Sequence, residues 1–298
     1  MGLVLEGDRV VTDQTGRFIV ITGANSGIGL EATRRLAERG ADVLMACRNE
    51  AKAAAAQEQL GSARVSVARL DLADQSSIAR FADEMEASGR TIDALVNNAG
   101  VMALDESRTT DGYEGQFGTN HLGHFALTAR LLPLLADGAR VVTVSSIAHR
   151  QGRVDLDDPH FERRKYNRWD AYSQSKLANL LFALELDRRL KSAGRSQISI
   201  GAHPGIASTA LGRDGSSFIN SVTRRMGWLT LRSSESGSDP LVRGATDGAL
   251  RGGEYLGPRF MAFGSTVVET PSGRARDTRL AGDLWSLSER ATGVSFGI

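Results

Sequence analysis

The chain has few of the residues that build disulfides, metal sites or membrane spans. It holds one cysteine, Cys47, among 298 residues, and its five histidines are scattered. A single thiol cannot form an internal disulfide, and neither residue type is spaced as metal ligands are. No stretch approaches the roughly 20 consecutive apolar residues of a membrane-spanning helix. We therefore expect a protein of a reducing compartment, with no structural metal and no membrane span.

Neither sign of charge is in excess. Lys and Arg number 36 against 35 Asp and Glu, and a net charge of +1 gives no broad field to attract nucleic acid. Glu6, Asp8 and Arg9 interrupt any apolar stretch at the start of the chain, so this segment does not have the pattern of a secretory signal. Hydrophobic residues make up 41%, enough to bury a sizeable core. The composition predicts a cytoplasmic globular protein with no nucleic-acid partner.

Apolar runs of strand length alternate with segments of helical composition. Several runs are nearly continuous, which is typical of a parallel sheet covered on both faces. The predicted strands are Phe18–Thr22, Val43–Ala46, Val65–Leu70, Ala94–Asn97, Val141–Ser145 and Ile198–Ala202. The predicted helices are Leu30–Arg39, Ala51–Leu60, Ser76–Ala87, Leu122–Leu135 and Ser175–Leu190. Because each parallel pair needs a crossover, the pattern predicts an α/β fold, a doubly wound Rossmann-type parallel sheet with helices on both faces.

No linker or repeat divides this pattern, so we expect a single domain over residues 1–298, with a core of about 15–265. Residues 206–240 differ in composition, with Gly, Ser and Arg clusters around a short apolar patch. We interpret them as a candidate substrate lid. The C-terminal extension 266–298 lacks a strong strand pattern and is predicted as a peripheral helix at Leu280–Leu287 flanked by loops.

A glycine-rich turn, Thr22–Gly29, follows the first predicted strand and precedes a helix. Glycines let the backbone approach a pyrophosphate, and the helix N-terminus supplies free N–H groups and a positive dipole end. The turn therefore predicts a dinucleotide site, and a glycine turn without a ligand is the alternative. The predicted cofactor contacts are Gly23, Asn25, Ser26, Gly27, Ile28 and Gly29.

The ends of the second and third strands bear on which dinucleotide binds. NAD sites usually have an acidic residue at the end of the second strand, but this chain has Arg48 there. Arginine offers fixed donors and a permanent charge to a 2′-phosphate, which favours NADP(H) over NAD(H). If Arg48 only solvates the next helix, the cofactor choice stays open. Asp71, followed by Leu72, ends the third strand and is expected to bind the adenine amino group, with a helix cap as the alternative for Asp71.

Proton-transfer residues follow two other elements. Tyr172 and Lys176 are four apart and share one face of a predicted helix. A tyrosine with a pKa of about 10 exchanges protons near neutral pH only if that pKa falls, and a nearby ammonium contributes to this. Ser146 ends the fifth strand, at the sheet edge where open α/β folds bind ligands. A surface helix bearing Tyr172 and Lys176 by chance is the alternative.

Amide side chains mark the fourth strand end and the helix after it. Asn98, Ala99 and Gly100 follow the strand, and Asn120 lies on the next helix. A polar amide side chain on a buried helix has to be explained by a structural or functional role. The alternatives are a turn-forming role for Asn98 and a satisfied polar residue at Asn120. Their joint appearance in this order favours a role in the site.

The chain carries six motifs in order: Thr22–Gly29, Asn97–Gly100, Asn120, Ser145-Ser146, Tyr172–Lys176 and His203-Pro204-Gly205. This ordered set resembles that of the short-chain dehydrogenase/reductase family across roughly residues 15–265. Four segments are more narrowly similar to the retinol dehydrogenase and WW-domain oxidoreductase branch, namely Ala46-Cys47-Arg48, Asn120–Phe125, Tyr172–Asn179 and His203-Pro204-Gly205.

The resemblance implies roles for these residues. Tyr172 would donate the proton in reduction, and Lys176 would bind the nicotinamide ribose and favour the tyrosinate. Ser146 would polarise the carbonyl, with Ser145 as the alternative, and Asn120 would hold a water on a proton path. The strand end at Asn98, Ala99 and Gly100 would pack beside the cofactor. The residues expected near the nicotinamide carboxamide are Pro204, Gly205, Ile206 and Thr209.

The expected function is an NADP(H)-dependent oxidoreductase that interconverts a ketone or aldehyde and an alcohol, acting on a small-molecule substrate. A catalytically silent NADP(H)-binding sensor or interaction protein on the same fold is the alternative. We recognise no N-terminal hydrophobic anchor of the kind typical of animal retinol dehydrogenases, so membrane association and a retinoid substrate are not carried over. The resemblance also implies a homo-oligomer, for which the sequence has no signature of its own.

Overall fold

The computed structural model describes residues 13–205, 234–260 and 264–298, and eight strands in these ranges form one sheet. The sheet order is β3-β2-β1-β4-β5-β6-β7-β8. Neighbouring strands from β3 to β7 are parallel, and β8 pairs antiparallel with β7. The strands are β1 Phe18–Thr22, β2 Asp42–Cys47, β3 Val65–Arg69, β4 Ile92–Asn97, β5 Leu135–Val144, β6 Ile198–Ala202, β7 Tyr255–Pro258 and β8 Thr266–Glu269. The predicted doubly wound sheet is confirmed.

All but the last of the helices in the described ranges lie between consecutive parallel strands, and the last follows β8. They are α1 Gly27–Ala37, α2 Glu50–Leu60, α3 Gln75–Ala87, α4 Gly115–Phe117, α5 Gly123–Leu131, α6 Arg168–Ser192, α7 Ser234–Thr246 and α8 Thr278–Thr292. Residues Gly118–Leu122, between α4 and α5, form one π-helical turn. The side chains of Asn49 and Asp74 accept backbone N–H groups at the starts of α2 and α3, which fixes where these helices begin.

Two hydrophobic clusters cover the two faces of the sheet. In β1, Val20 belongs to one cluster and Ile21 to the other, because successive strand residues point to opposite faces. The first cluster is built with α3, α5, α6 and α8, and the second with α1, α2 and α7. Every residue of β1 is buried, which explains why this strand is a continuous apolar run.

The connections leave a crevice at the carboxyl ends of the strands. β1 lies between β2 and β4, so the chain winds outward in opposite directions from this point. Ligands of open α/β sheets bind at such a topological switch point. The ends of β1, β2, β4, β5 and β6 deliver to this edge the motifs that begin at Thr22, Arg48, Asn98, Ser145 and His203.

The structure differs from the sequence prediction in several segments, and the predicted helix Ser175–Leu190 already begins at Arg168. The helix predicted to Leu135 ends at Leu131, because Pro133 lies in a 3₁₀ turn and β5 begins at Leu135. Both β7 and β8 were missed. The predicted peripheral helix is α8, which begins earlier, at Thr278, and packs into the core through Trp285, 2% exposed.

Most of the predicted lid, residues 206–233, lies outside the described residues, as do Ile206 and Thr209. Residues 234–240 begin α7, which packs on α1 through an Arg35–Asp239 ion pair of 2.6 Å. No helix in the described ranges is long and apolar enough to span a membrane.

Candidate active site

The glycine turn is shaped by its packing against the end of β4. Gly23 and Gly27 have positive φ angles of 63° and 58°, which glycine adopts without strain. A Cβ on Gly29 would lie 2.5 Å from Asn98 Nδ2, and one on Gly23 would lie 2.8 Å from the Ala99 Cα. The turn therefore requires glycine at these positions to sit against β4, in addition to any ligand it binds.

Thr22 fastens this turn to β4, and the sequence prediction had not given it a role. Its hydroxyl oxygen accepts the backbone N–H groups of Asn98 and Ala99, each at 2.9 Å. Asn98 Nδ2 donates in return to the Thr22 carbonyl at 2.7 Å. Asn98 Oδ1 is buried without a hydrogen-bond partner in the described part of the chain.

Polar groups at the mouth of the turn are open to a ligand. α1 begins at Gly27, and its N-cap residue, Ser26, is exposed and does not cap the helix with its side chain. Asn25 lies half-buried beside it. The free N–H groups of the first helical turn therefore face an anion-binding position. Ile28 packs its side chain into the second cluster, so only its backbone reaches this position.

The ends of β2 and β3 carry the residues expected to bind the adenosine half of the dinucleotide. Arg48 is exposed and forms no hydrogen bond or ion pair within the described residues. Asp71 accepts the Ala73 N–H at 3.0 Å, and the cap of α3 is Asp74 rather than Asp71. Leu72 is 5% exposed and belongs to the first cluster, which leaves its backbone for a ligand.

Tyr172 and Ser146 meet at the crevice. Tyr172 is 7% exposed on α6, and its side chain lies close to that of Ser146, the residue after Ser145 at the end of β5. Burial raises the pKa of Tyr172, and the nearby Ser146 side chain opposes this rise. The sequence prediction required a lowered pKa. In the protein alone the pKa is raised instead, because burial disfavours the charged phenolate.

Lys176 is buried one helical turn beyond Tyr172. Its Nζ donates to the Val144 carbonyl at 3.1 Å and lies 5.9 Å from the centre of the Tyr172 ring. Burial lowers the pKa of Lys176 from 10.5 to about 8. An ammonium has three N–H donors, and Val144 is its one hydrogen-bond acceptor within the described ranges. Lys176 thus has donors left for a ligand or water.

Asn120 lies in the π-helical turn and joins the β4 loop to α6. Its Oδ1 accepts the Val101 N–H at 2.8 Å, and its Nδ2 donates to the Val101 carbonyl and to Ser175 Oγ, both at 2.9 Å. A Cβ on Gly100 would lie 3.3 Å from both Asn120 Oδ1 and Lys176 Nζ. The loop after β4 therefore runs directly beside the ammonium. Single π turns often mark functional sites.

The two serines at the end of β5 have different partners. Ser145 is 1% exposed, and its hydroxyl donates to the Lys176 carbonyl at 2.7 Å, so it supports α6. Ser146 is half-buried and accepts the Ala148 N–H at 3.2 Å while its hydroxyl faces Tyr172. This geometry favours Ser146 over Ser145 as the residue beside a reacting group.

The turn after β6 is held by a histidine. His203 Nδ1 accepts the Gly205 N–H at 3.2 Å, and its Nε2 lies 3.2 Å from Glu269 Oε1 on β8. The ring stacks on Tyr255 of β7 at 5.1 Å. Pro204 and Gly205 are half-buried at the crevice. Sequence reasoning missed these contacts because the supporting strands β7 and β8 were not predicted.

These residues fit a nicotinamide dinucleotide. The uncapped helix N-terminus suits a pyrophosphate, and Arg48 suits a 2′-phosphate. Lys176 keeps N–H donors for a ligand, and Asn98 Oδ1 is buried without a hydrogen-bond partner among the described residues. All of these groups are carried by strand ends, or by helices following them, at one edge of the sheet.

Known proteins are similar to this chain in sequence and in fold. The short chain dehydrogenase family model matches residues 17–218. The chain is 39% identical to human retinol dehydrogenase 13 over 292 residues, which covers 94% of this chain and 85% of that protein. It is 39% identical to mouse polyprenol dehydrogenase over 298 residues, covering 97% of this chain and 87% of that protein. A crystal structure of an uncharacterized protein from Mycobacterium paratuberculosis is 44% identical, covers 97% of each chain and superposes with a TM-score of 0.84.

The chain therefore belongs to the short-chain dehydrogenase family, whose members are oxidoreductases that bind a nicotinamide cofactor. Within that family it lies in the retinol dehydrogenase-like branch.

Proposed function

We propose that this protein is an NADP(H)-dependent oxidoreductase that interconverts a ketone or aldehyde and the corresponding alcohol. The observation that carries the proposal is the buried Tyr172 side chain, which lies between Ser146 and the buried ammonium of Lys176, 5.9 Å from the centre of its ring. Bound nicotinamide would supply or accept the hydride, which is the chemistry these side chains do not provide.

The cofactor would lie across the carboxyl edge of the sheet. The pyrophosphate would bind the helix N-terminus at the glycine turn, the 2′-phosphate would bind Arg48, and Asp71 would receive the adenine amino group. Lys176 would bind the nicotinamide ribose. The remaining proposed contacts are Gly23, Asn25, Ser26, Gly27, Ile28, Gly29, Leu72, Asn98, Ala99, Gly100, Tyr172, Pro204, Gly205, Ile206 and Thr209.

In the reducing direction Tyr172 acts as the acid. Its raised pKa keeps the phenol protonated at neutral pH, and the proton passes from its hydroxyl to the carbonyl oxygen of the substrate. Ser146 orients the same oxygen. The charge of Lys176 stabilises the phenolate that remains, and a water held at Asn120 returns a proton. In the oxidising direction the phenolate is the base, so the oxidation rate should rise with pH.

The neighbourhood of Tyr172 favours an apolar substrate. Trp169 precedes Tyr172 by one helical turn, and their rings meet edge to face with centres 6.3 Å apart. Trp169 is 37% exposed, which leaves apolar surface accessible beside the Tyr172 ring. Relatives carry the names of retinol and polyprenol, two lipophilic alcohols. We propose that the alcohol or carbonyl group sits on an apolar molecule that packs on Trp169.

The substitution Tyr172→Phe tests the mechanism. Oxidation of NADPH is followed by absorbance with a mixed set of aldehydes and ketones. The variant should lose turnover by a factor of about 10² or more, because it lacks the acid, while its affinity for NADPH stays within about threefold of the parent. Tyr113→Phe is the matched control, since that hydroxyl donates to the Ala291 carbonyl on the C-terminal side.

Turnover retained by Tyr172→Phe would overturn the mechanism. Tight NADPH binding by the parent protein without turnover on any carbonyl would favour the silent sensor instead.

A further inference from the structure

His124 connects the cofactor turn to the π-helical turn through both of its ring nitrogens. Its Nε2 lies 2.9 Å from the Thr22 hydroxyl, and its Nδ1 lies 2.8 Å from the Asn120 carbonyl oxygen. The side chain is 0% exposed, so no solvent competes for either contact. Thr22 holds the turn expected to bind pyrophosphate, and Asn120 holds the loop beside Lys176.

The partners of His124 fix its tautomer. A carbonyl oxygen only accepts, so Nδ1 carries the proton, and in a neutral ring Nε2 is then the acceptor. The Thr22 hydroxyl must therefore donate to Nε2. The same oxygen accepts two backbone N–H groups, those of Asn98 and Ala99, so its one donor and two acceptor sites are all used. The other acceptor near this hydroxyl, the Val96 carbonyl, is farther away at 3.4 Å.

We propose that His124, as the neutral Nδ1–H tautomer, is a positioning residue that couples cofactor binding to the proton-transfer centre. Its Nε2 orients the Thr22 hydroxyl, which holds the amides at the end of β4. Its Nδ1–H holds the Asn120 carbonyl in the π turn. The expected effect of His124 on proton transfer rests on the proposed function. Its expected effect on cofactor affinity does not.

His121 offers a matched control in the same turn. It is three residues earlier and 1% exposed, but its Nε2 lies 2.9 Å from Ser288 Oγ on α8. Its ring packs on Phe117 with centres 5.1 Å apart. A buried histidine that serves only stability should behave like His121, so the two residues separate coupling from packing.

The test compares His124→Phe with His121→Phe. His124→Phe keeps a planar ring but no hydrogen bonds, and we expect NADPH affinity and kcat each to fall about tenfold. His121→Phe should lower Tm yet leave affinity and kcat within about twofold of the parent. The double variant Thr22→Val/His124→Phe should bind NADPH little worse than Thr22→Val alone, because both changes break one hydrogen-bond chain.

Two amide variants separate the ends of the ring. Glutamine places its amide near the position of Nε2 and can accept from Thr22, so His124→Gln should recover NADPH affinity more than kcat. Asparagine places its amide near Nδ1 and can donate to Asn120, so His124→Asn should recover kcat more than affinity. Equal behaviour of the two variants, or additive effects in the double variant, would overturn the coupling.

Side-chain ¹⁵N NMR of the parent protein gives a test that needs no variant to fold. The proposal requires His124 to carry its proton on Nδ1, and an Nε2–H tautomer would overturn it. If the parent binds NADPH but reduces no carbonyl, the proposed function fails. The tautomer and the affinity measurements still decide the role of His124.

Discussion

Lys176 shows the conflict between stability and function at a single residue. Its ammonium is 2% exposed and has one carbonyl acceptor among the described residues. Lowering its pKa from 10.5 to about 8 corresponds to a cost of about 3 kcal/mol for keeping the charge in the folded protein at neutral pH. A buried lysine kept at that cost is expected at a functional site rather than in a structural one.

The substitution Lys176→Met should therefore stabilise the protein while it abolishes turnover. Met fills a similar volume without a charge, and Val144 keeps a hydrogen bond from Asn179 Nδ2 at 3.0 Å. We expect the free energy of unfolding at pH 7 to rise by up to about 3 kcal/mol. The gain should shrink between pH 8 and 10.5, where the folded parent loses the proton. A loss of stability in urea unfolding at pH 7 would contradict this account of the charge.

Local motifs sufficed to place the candidate reacting residues in their elements, because each motif lies within one element and its flanking turn. The spacing of Tyr172 and Lys176 on one helix and the position of Ser146 after a strand needed no knowledge of distant contacts. Thr22, His124 and His203 were missed as functional partners because their contacts join different elements. Thr22 and His124, for example, are 102 residues apart in sequence.

At the scale of elements, α8 is a structural part of the core rather than a peripheral helix. Trp285 stacks on Phe182 of α6 at 5.9 Å and meets Phe125 of α5 edge to face at 5.1 Å. The Arg189 guanidinium lies 4.4 Å from the centre of the Trp285 ring. Because α6 carries Tyr172 and Lys176, α8 supports the helix on which the proposed chemistry depends.

Truncation of the Trp285 side chain should lower the stability of the protein strongly. We expect Trp285→Ala to lower the free energy of unfolding by about 3–5 kcal/mol, because it leaves a cavity among three aromatic rings. Trp285→Phe should cost clearly less, since the indole Nε1 has no hydrogen-bond partner in the described ranges. Chemical denaturation of both variants measures the difference. Equal losses of stability in the two variants would show that α8 does not stabilise the protein through the volume of the Trp285 ring.

The sequence predicted β1 to β6 but neither β7 nor β8, the last two strands along one side of the sheet. Central strands are continuous apolar runs because helices cover both of their faces. β7 has only four residues, Tyr255–Pro258, and ends in Gly and Pro, which are rare in strands. β8 is equally short, and its Val268 is 52% exposed. β7 is a strand because it pairs with the distant β6, and β8 is a strand because it pairs with β7, so neither follows from local pattern.

At the scale of the whole molecule, buried histidines make the free energy of unfolding depend on pH. Burial lowers the pKa of His121 to about 3 and that of His124 to about 4. Burial also lowers the pKa values of His149 and His160. The unfolded chain binds protons on these rings below pH 6.5, whereas the folded protein does not. The contribution of these histidines to stability is therefore fully present above pH 6.5 and is lost as the pH drops toward 4.

Urea unfolding between pH 7 and 4.5 should reveal this loss. Each histidine that stays neutral in the folded state removes about 1.4 kcal/mol per pH unit below pH 6.5. The variant His121→Phe should lower the slope by about one proton relative to the parent. A slope that is unchanged in His121→Phe would mean that this ring is protonated in the folded protein.

The most direct test of the central claim is a fluorescence titration of the protein with NADPH and NADH, followed by carbonyl addition in the same cuvette. We predict that NADPH binds at least about 30-fold more tightly, through Arg48, and is oxidised when a substrate is present. Arg48→Ala should erase the preference, whereas Arg130→Ala, an exposed arginine at the far end of α5, should keep it. If the protein bound neither NADPH nor NADH, this result would contradict the account.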